Sequence, residues 1–385
     1  ELQKLREISL LRRLREIGSA QGATIELVGR QLINFSSNDY LGLANDACLR
    51  AAAKEAIDQF GVGAGASRLI SGTQSPHVEL ERALTAWKRT PAALTFSSGY
   101  AAAVGTLSAI AGKQDVIVLD KLAHASLIDG ARLSGATLRV FPHNHLGKLE
   151  SHLAWARREF PDARIVVVTE SVFSMDGDRA PLREIVDLKK RFRALLLLDE
   201  AHAVGVIGDG GRGLAAEEKL ADAIDIHLGT LSKALGVAGG YVCGSANLID
   251  WLINRARSFI YSTAPPPALA AAATAAIDLL QGDEGDALRH QLWRNIALAH
   301  HLLAPSRHPA SAIIPVLVGD ETAALELSRA LLQAGFLVPA IRYPTVARGR
   351  ARLRVTVTAA HDAEQIRSLA NAINNQRALA ASGRV

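Results

Sequence analysis

The run Leu195-Leu196-Leu197-Leu198-Asp199-Glu200-Ala201-His202-Ala203-Val204-Gly205 decides how the fold is read. Four consecutive leucines have no polar alternate face, so they predict a strand buried on both sides, as in a parallel sheet covered by helices. The strand ends in ionisable groups. In parallel α/β sheets, ligands bind outside the carboxyl ends of the strands, so Asp199, Glu200 and His202 are delivered to that edge. A single strand-end aspartate reads equally as a helix cap. Two ionisable groups on one buried turn need partners, because a lone buried charge is costly.

The same pattern extends in both directions. Apolar runs at Leu94 to Phe96, Val116 to Leu119, Leu138 to Phe141, Ile165 to Thr169, Ile224 to Leu228 and Gly240 to Cys243 complete a set of seven candidate strands. Helical periodicity lies between most of them, for example over Pro181 to Phe192. The expected fold class is α/β, with a mainly parallel seven-stranded sheet between helices. After about residue 280 the pattern changes. A helix near Asp286 to Leu303 leads to strands at Ile313 to Val318 and Leu353 to Thr358, with helices at Thr322 to Ala334 and His361 to Gln376. We therefore expect an N-terminal arm over residues 1–45 (an amphipathic helix, then a short strand and turn), a large domain over 46–280 and a smaller α+β domain over 281–385.

Hydrophobic residues make up 49% of the chain and aromatics only 5%, so the core must be built from Ala, Leu, Ile and Val. Cys48 and Cys243 fit no metal-ligand spacing and read as free thiols of a reducing compartment. No opening segment reads as a signal peptide, and no apolar run reaches the roughly 20 residues that span a bilayer. A soluble, cytoplasmic protein is the expectation. The net charge of +5 is modest, and no basic stripe is interleaved with aromatics, which argues against nucleic acid. The cations Lys4, Arg6, Arg12, Arg13 and Arg15 at the start read either as a solvated helix face or as an attraction for an anionic partner.

Three further segments bring chemistry to the same sheet edge. Thr230-Leu231-Ser232-Lys233 follows the strand at Ile224 to Leu228 and precedes the glycines Gly236 to Gly240. A lysine after a buried strand differs from a surface lysine: burial lowers its pKa, and its neutral amine forms Schiff bases with carbonyls. The 34 residues from Asp199 to Lys233 allow one crossover that brings the two strand ends together. Ser97-Ser98-Gly99-Tyr100 opens an alanine-rich helix, where exposed N–H groups and the helix dipole favour an anion such as phosphate. His124 lies between the strand at Val116 to Leu119 and the next helix. By contrast, Gly61-Val62-Gly63-Ala64-Gly65 follows a helical pattern rather than a strand, so it lacks the context of a dinucleotide loop. An anion cradle, a histidine, an Asp–His turn and a lysine meet the needs of pyridoxal 5'-phosphate (PLP).

The chain then resembles the α-oxoamine synthases of the fold-type I PLP-dependent transferases over nearly its whole length. The resemblance rests on Asn34 to Leu43 (NFSSNDYLGL), Gly65 to Gly72 (GASRLISG), Asp120 to Leu127 (DKLAHASL), Thr169 to Asp178 (TESVFSMDGD), Asp199 to Gly205 (DEAHAVG), Thr230 to Lys233 (TLSK), Tyr261 to Pro267 (YSTAPPP) and Tyr343 to Arg354 (YPTVARGRARLR). It implies that Lys233 holds the cofactor and moves the α-proton of the substrate. It further implies that Asp199 pairs with the pyridine nitrogen, His202 bonds the ring oxygen and His124 stacks on the ring. Gly99, Tyr100 and Thr230 would hold the phosphate, Ser174 would contact the cofactor, and Thr263 would reach the site of a neighbouring subunit in a homodimer with shared active sites. Arg354 would bind the amino-acid carboxylate, and Arg12 and Thr345 match substrate-contacting positions. No metal is implied.

Within that family the chain is most similar to the branch that condenses L-alanine with pimeloyl-CoA, or its acyl-carrier-protein (ACP) equivalent, in biotin biosynthesis. Ser171 stands where that branch commonly has glycine, as in the aminolevulinate branch, and Ala347-Arg348 where it usually has Pro-Ala. The rivals are the sister activities on glycine or serine and, in another class, an inactive regulatory subunit of the same fold. Retention of Lys233, Asp199, His202 and His124 argues against the last.

Overall fold

The structure, a computed structural model, describes residues 1–7, 11, 14–306 and 308–381. Thirteen strands are present among them: β1 (Thr24–Leu27), β2 (Arg30–Asn34), β3 (Ala92–Phe96), β4 (Val116–Asp120), β5 (Thr137–Phe141), β6 (Ile165–Glu170), β7 (Leu195–Asp199), β8 (Ile226–Thr230), β9 (Gly240–Gly244), β10 (Ile313–Gly319), β11 (Phe336–Leu337), β12 (Ala340–Ile341) and β13 (Ala351–Thr356). Seven form one sheet in the order β3-β9-β8-β7-β6-β4-β5. Its neighbours from β8 to β5 run parallel, and β9 lies antiparallel to both β8 and β3. The expected mainly parallel sheet of seven strands is thus the fold.

Side-chain alternation explains why the strands read as unbroken apolar runs. Val116, Val118, Ile165, Val167, Leu196 and Leu198 point into one buried cluster. Ile117, Leu119, Val166, Val168 and Leu197 point into the other. Each fully buried side chain of this size contributes roughly 1.5–3 kcal/mol, so both faces are committed to packing. Only the strand ends remain for chemistry.

Two local readings are corrected. β8 runs two residues further than expected, because Thr230 pairs with Gly240 and thereby stays in the ladder. The segment before residue 45 holds an antiparallel hairpin of β1 and β2, not a single strand. Its two connecting residues, Val28 and Gly29, both have positive φ (51° and 74°), as a right-twisted two-residue hairpin needs. The helix there spans Leu2–Glu7. β2 also pairs in parallel with β11, some 300 residues later, which ties this segment to the C-terminal region. There β10, β13 and β12 make a separate three-stranded sheet. Among the described residues, no helix is long and apolar enough to cross a membrane. Cys48 is exposed and Cys243 buried, and both are free.

Candidate active site

At the carboxyl ends of β4, β6, β7 and β8, a cavity of about 240 Å³ opens beside the start of the helix Gly99–Ile110. Ser98, Gly99, Tyr100, His124, Glu170, Asp199, His202, Thr230 and Lys233 are among its lining residues. Strand adjacency does the assembling. β7 and β8 are paired neighbours, so the chain leaves β8 and turns Lys233 back over the end of β7.

Lys233 Nζ lies 2.9 Å from His202 Nε2. Burial lowers its pKa to about 8, against the pull of the Asp199 and Glu170 charges. Asp199 is the last residue of β7; its Oδ1 accepts the Ala201 N–H at 2.9 Å, and burial raises its pKa while Lys233 opposes. Its backbone carbonyl accepts both the N–H and the hydroxyl of Ser171, at 2.8 and 3.2 Å. That hydroxyl is what a glycine at position 171 would not supply.

Glu170 ends β6 in register with Asp199. It accepts the His124 N–H at 2.5 Å, and burial, with the Asp199 charge, raises its pKa well above the carboxylate range. Two buried acidic groups therefore line one cavity with Lys233, whose charge acts on both. That pocket lacks positive charge, and a cationic ring nitrogen would supply it.

His202 is buried and stays neutral: burial, then Lys233 and Arg354, push its pKa far down. Its Nδ1 meets the Tyr40 hydroxyl at 2.6 Å. His124 caps the helix Ala125–Ser134, its Nδ1 accepting the Ser126 N–H at 3.2 Å. That bond needs a bare Nδ1, so the neutral ring carries its proton on Nε2. Burial also lowers the His124 pKa.

The opposite wall is built for an anion. Ser98 Oγ accepts the Ala101 N–H at 3.0 Å, and the first-turn N–H groups of Gly99 and Tyr100 have no intrahelical acceptor. Beside them lie Thr230 Oγ1 and Ser232 Oγ, 2.8 Å apart. The Tyr100 ring is half exposed and its hydroxyl donates to Asp129 Oδ2 at 2.7 Å. Two glycines make the assembly close enough. Gly205 has φ +80°, and a Cβ there would sit 2.5 Å from that of Ala234, so the Asp199 turn packs directly on the residue after Lys233. Gly236, at φ +70°, lets the Lys233 loop touch Leu43 and Ala44, where a Cβ would meet backbone at 2.6 Å.

Arg354 on β13 stands next to this centre rather than in the cavity wall. Its Nε donates to the Ser174 carbonyl at 2.7 Å, Nη1 to Thr356 Oγ1 at 2.9 Å and Nη2 to Asn38 Oδ1 at 3.1 Å. A guanidinium has five N–H groups, and Arg354 also hydrogen-bonds the Tyr40 hydroxyl, so at most two remain for a ligand. Ser174 meets the site through that carbonyl. Thr263 is exposed and bridges to Ser67, away from the cavity. Thr345 lines a separate groove of about 990 Å³ with Arg6, Arg15, Arg329 and Arg342. Arg12, like Arg13, lies outside the described residues. Glu170, Asn38 and Tyr40 join the site without a role expected from the sequence. All three fall inside the quoted motifs, and Glu170 stands at a strand end, which was the available signal.

A family model described as aminotransferase class I and II matches residues 30–373. The 8-amino-7-oxononanoate synthase of Geobacter sulfurreducens is 46% identical, covering 100% of this chain and 96% of its own. Among solved structures, a variant of the serine palmitoyltransferase from S. paucimobilis, with a bound PLP–myriocin aldimine, is 32% identical with a TM-score of 0.92, covering 100% of this chain and 97% of that one. The 8-amino-7-oxononanoate synthase of Francisella tularensis is 29% identical with a TM-score of 0.76, covering 90% and 98%. Backbone shape is nearer to the palmitoyltransferase and sequence to the Geobacter oxononanoate synthase. We weigh sequence more, because one backbone serves several substrates. The chain belongs to the 8-amino-7-oxononanoate synthase family within the class I and II aminotransferases.

Proposed function

We propose that the protein is the PLP-dependent acyltransferase that condenses L-alanine with a pimeloyl thioester, giving 8-amino-7-oxononanoate, the free thiol carrier and carbon dioxide, a step of biotin biosynthesis. The single observation that carries the cofactor part is one cavity that brings together two buried acidic side chains, a buried lysine and a helix N-terminus. A cationic ring nitrogen, a carbonyl and a phosphate suit the acidic groups, the lysine and the helix N-terminus in turn.

When bound, PLP supplies a carbonyl for the Lys233 amine and an electron-withdrawing ring that stabilises charge on a substrate carbon. Asp199 pairs with the ring nitrogen, and that contact keeps its carboxylate ionised. His202 donates to the ring oxygen, and neutral His124 covers the ring face. The N–H groups of Gly99 and Tyr100, with the Thr230 hydroxyl, hold the phosphate, and Ser174 fixes Arg354 from the side. Arg354 takes the alanine carboxylate with the N–H groups that its protein partners leave. Lys233 Nζ, depressed to about 8, is the base that removes the α-proton of alanine and later returns a proton to the product.

The acyl part rests on relationship. Thr345 and Arg12 are proposed to meet the pimeloyl chain, carried on CoA or on ACP. Thr263 is proposed to complete the site of a second copy in a homodimer. The domain division at about residues 45 and 280 is proposed on the same footing. A panel of alanine, glycine and serine against acetyl-, succinyl-, palmitoyl- and pimeloyl-CoA tests the assignment. Turnover confined to alanine with the pimeloyl thioester is expected; a preference for serine with palmitoyl-CoA would assign the chain to the activity of its structural neighbour instead.

A further inference from the structure

Tyr40 is fully buried, has no role in the chemistry above, and yet bridges its two halves. Its hydroxyl lies 2.6 Å from His202 Nδ1 and 3.3 Å from Asn38 Oδ1. Asn38 Oδ1 already receives Arg354 Nη2 at 3.1 Å. On the other side of the imidazole, Nε2 faces Lys233 Nζ at 2.9 Å. Tyr40 therefore stands between Arg354, which also hydrogen-bonds its hydroxyl directly, and His202, whose other nitrogen meets Lys233.

A neutral imidazole has one N–H, so its two nitrogens cannot both donate. While the Lys233 ammonium donates into Nε2, the imidazole proton sits on Nδ1 and points at Tyr40. Donation from Nε2 to an acidic ring oxygen requires the reverse tautomer, with Nδ1 bare. Tyr40 is the residue placed to enforce it. The phenol has a single proton, and the 2.6 Å contact to His202 is much shorter than that to Asn38. Asn38 is satisfied by Arg354 without it.

We propose that Tyr40 is a positioning residue that fixes His202 with its proton on Nε2. The inference rests on the PLP-dependent function given above. Burial holds the Tyr40 phenol protonated, its pKa pushed up to about 12, so the donor persists at any working pH.

The test uses the holoenzyme. With ¹⁵N-labelled histidine, and His202 assigned by the loss of its signals in His202→Gln, the cofactor-loaded wild type should carry its proton on Nε2. Tyr40→Phe keeps the ring in the core and removes only the hydroxyl. A donor to the ring oxygen favours its charged form, so the variant should shift the pH midpoint of the visible cofactor band upward by about one unit, roughly tenfold in proton affinity. It should also move the His202 proton off Nε2. An unchanged midpoint in Tyr40→Phe would overturn the proposal, and so would a wild-type His202 protonated on Nδ1, a result that needs no variant. A wild type without any visible band reducible by borohydride would instead overturn the underlying function.

Discussion

Asp199 and Glu200 are adjacent carboxylates, both buried, and their environments drive them in opposite directions. Asp199 faces the cavity, and burial raises its pKa against the pull of the Lys233 charge. Glu200 points away from the cavity. Burial would raise it too, yet Lys88 at 2.7 Å and His227 at 3.6 Å pull it down to about 2. Its second oxygen accepts the Ala215 N–H at 3.1 Å. The difference teaches that burial alone does not identify a working group. Glu200 is closed, with every acceptor met by the protein, while Asp199 and Glu170 are left with too little positive charge around them. That deficit is where a cationic ligand belongs.

The comparison can be broken by exchanging charge for amide on each side. The largest effect is expected at Glu200→Gln, which strands a buried Lys88 ammonium. Loss of one partner of such a pair costs about 3–5 kcal/mol, read as a fall in the denaturation midpoint. Turnover of the protein that remains folded should be near normal. Asp199→Asn should do the opposite: stability unchanged or slightly higher, with kcat reduced about a hundredfold by loss of the charge that stabilises the ring nitrogen. Equal behaviour of the two variants would remove the distinction drawn here.

A smaller effect sharpens the same lesson at a third cluster. His143 bridges Asp120 at 3.1 Å and Asp178 at 2.8 Å. Burial works to lower its pKa, but the two carboxylates raise it to about 10. A histidine raised in the folded state stabilises fully below its unfolded pKa of about 6.5. That contribution is lost as pH climbs through about 10. His143→Gln should therefore cost on the order of 1 kcal/mol at pH 6, and the gap to wild type in thermal midpoint should close toward pH 10. A gap that widens with pH would contradict the bridging role.

Much of this was legible in the sequence. The leucine run and its acidic terminus announce a parallel strand ending in a ligand edge, because periodicity and burial act over a few residues. Lys233 was readable for the same reason, as was the helix start at Ser98 and Gly99. What escaped depends on contacts between distant segments. Tyr40 and Asn38 reach the site from a distant segment, which the Lys233 loop can lie against because Gly236 has no Cβ to strike Leu43 and Ala44. The β2–β11 pairing spans about 300 residues and leaves no local periodicity. Glu170 was within reach, since it ends β6 as Asp199 ends β7, but a strand-end carboxylate gains meaning only beside its neighbour. Thr263 bridges to Ser67 rather than lining the cavity, and Arg12 lies outside the described residues.

The central claim is that Lys233 holds PLP at this sheet edge. Borohydride reduction of the holoenzyme followed by proteolysis and mass spectrometry of the modified peptide tests it most directly. The account predicts a single reduced pyridoxyl adduct, on Lys233 in the peptide containing Thr230-Leu231-Ser232-Lys233. An adduct on another lysine, or none from a protein that turns over alanine and pimeloyl thioester, would contradict it.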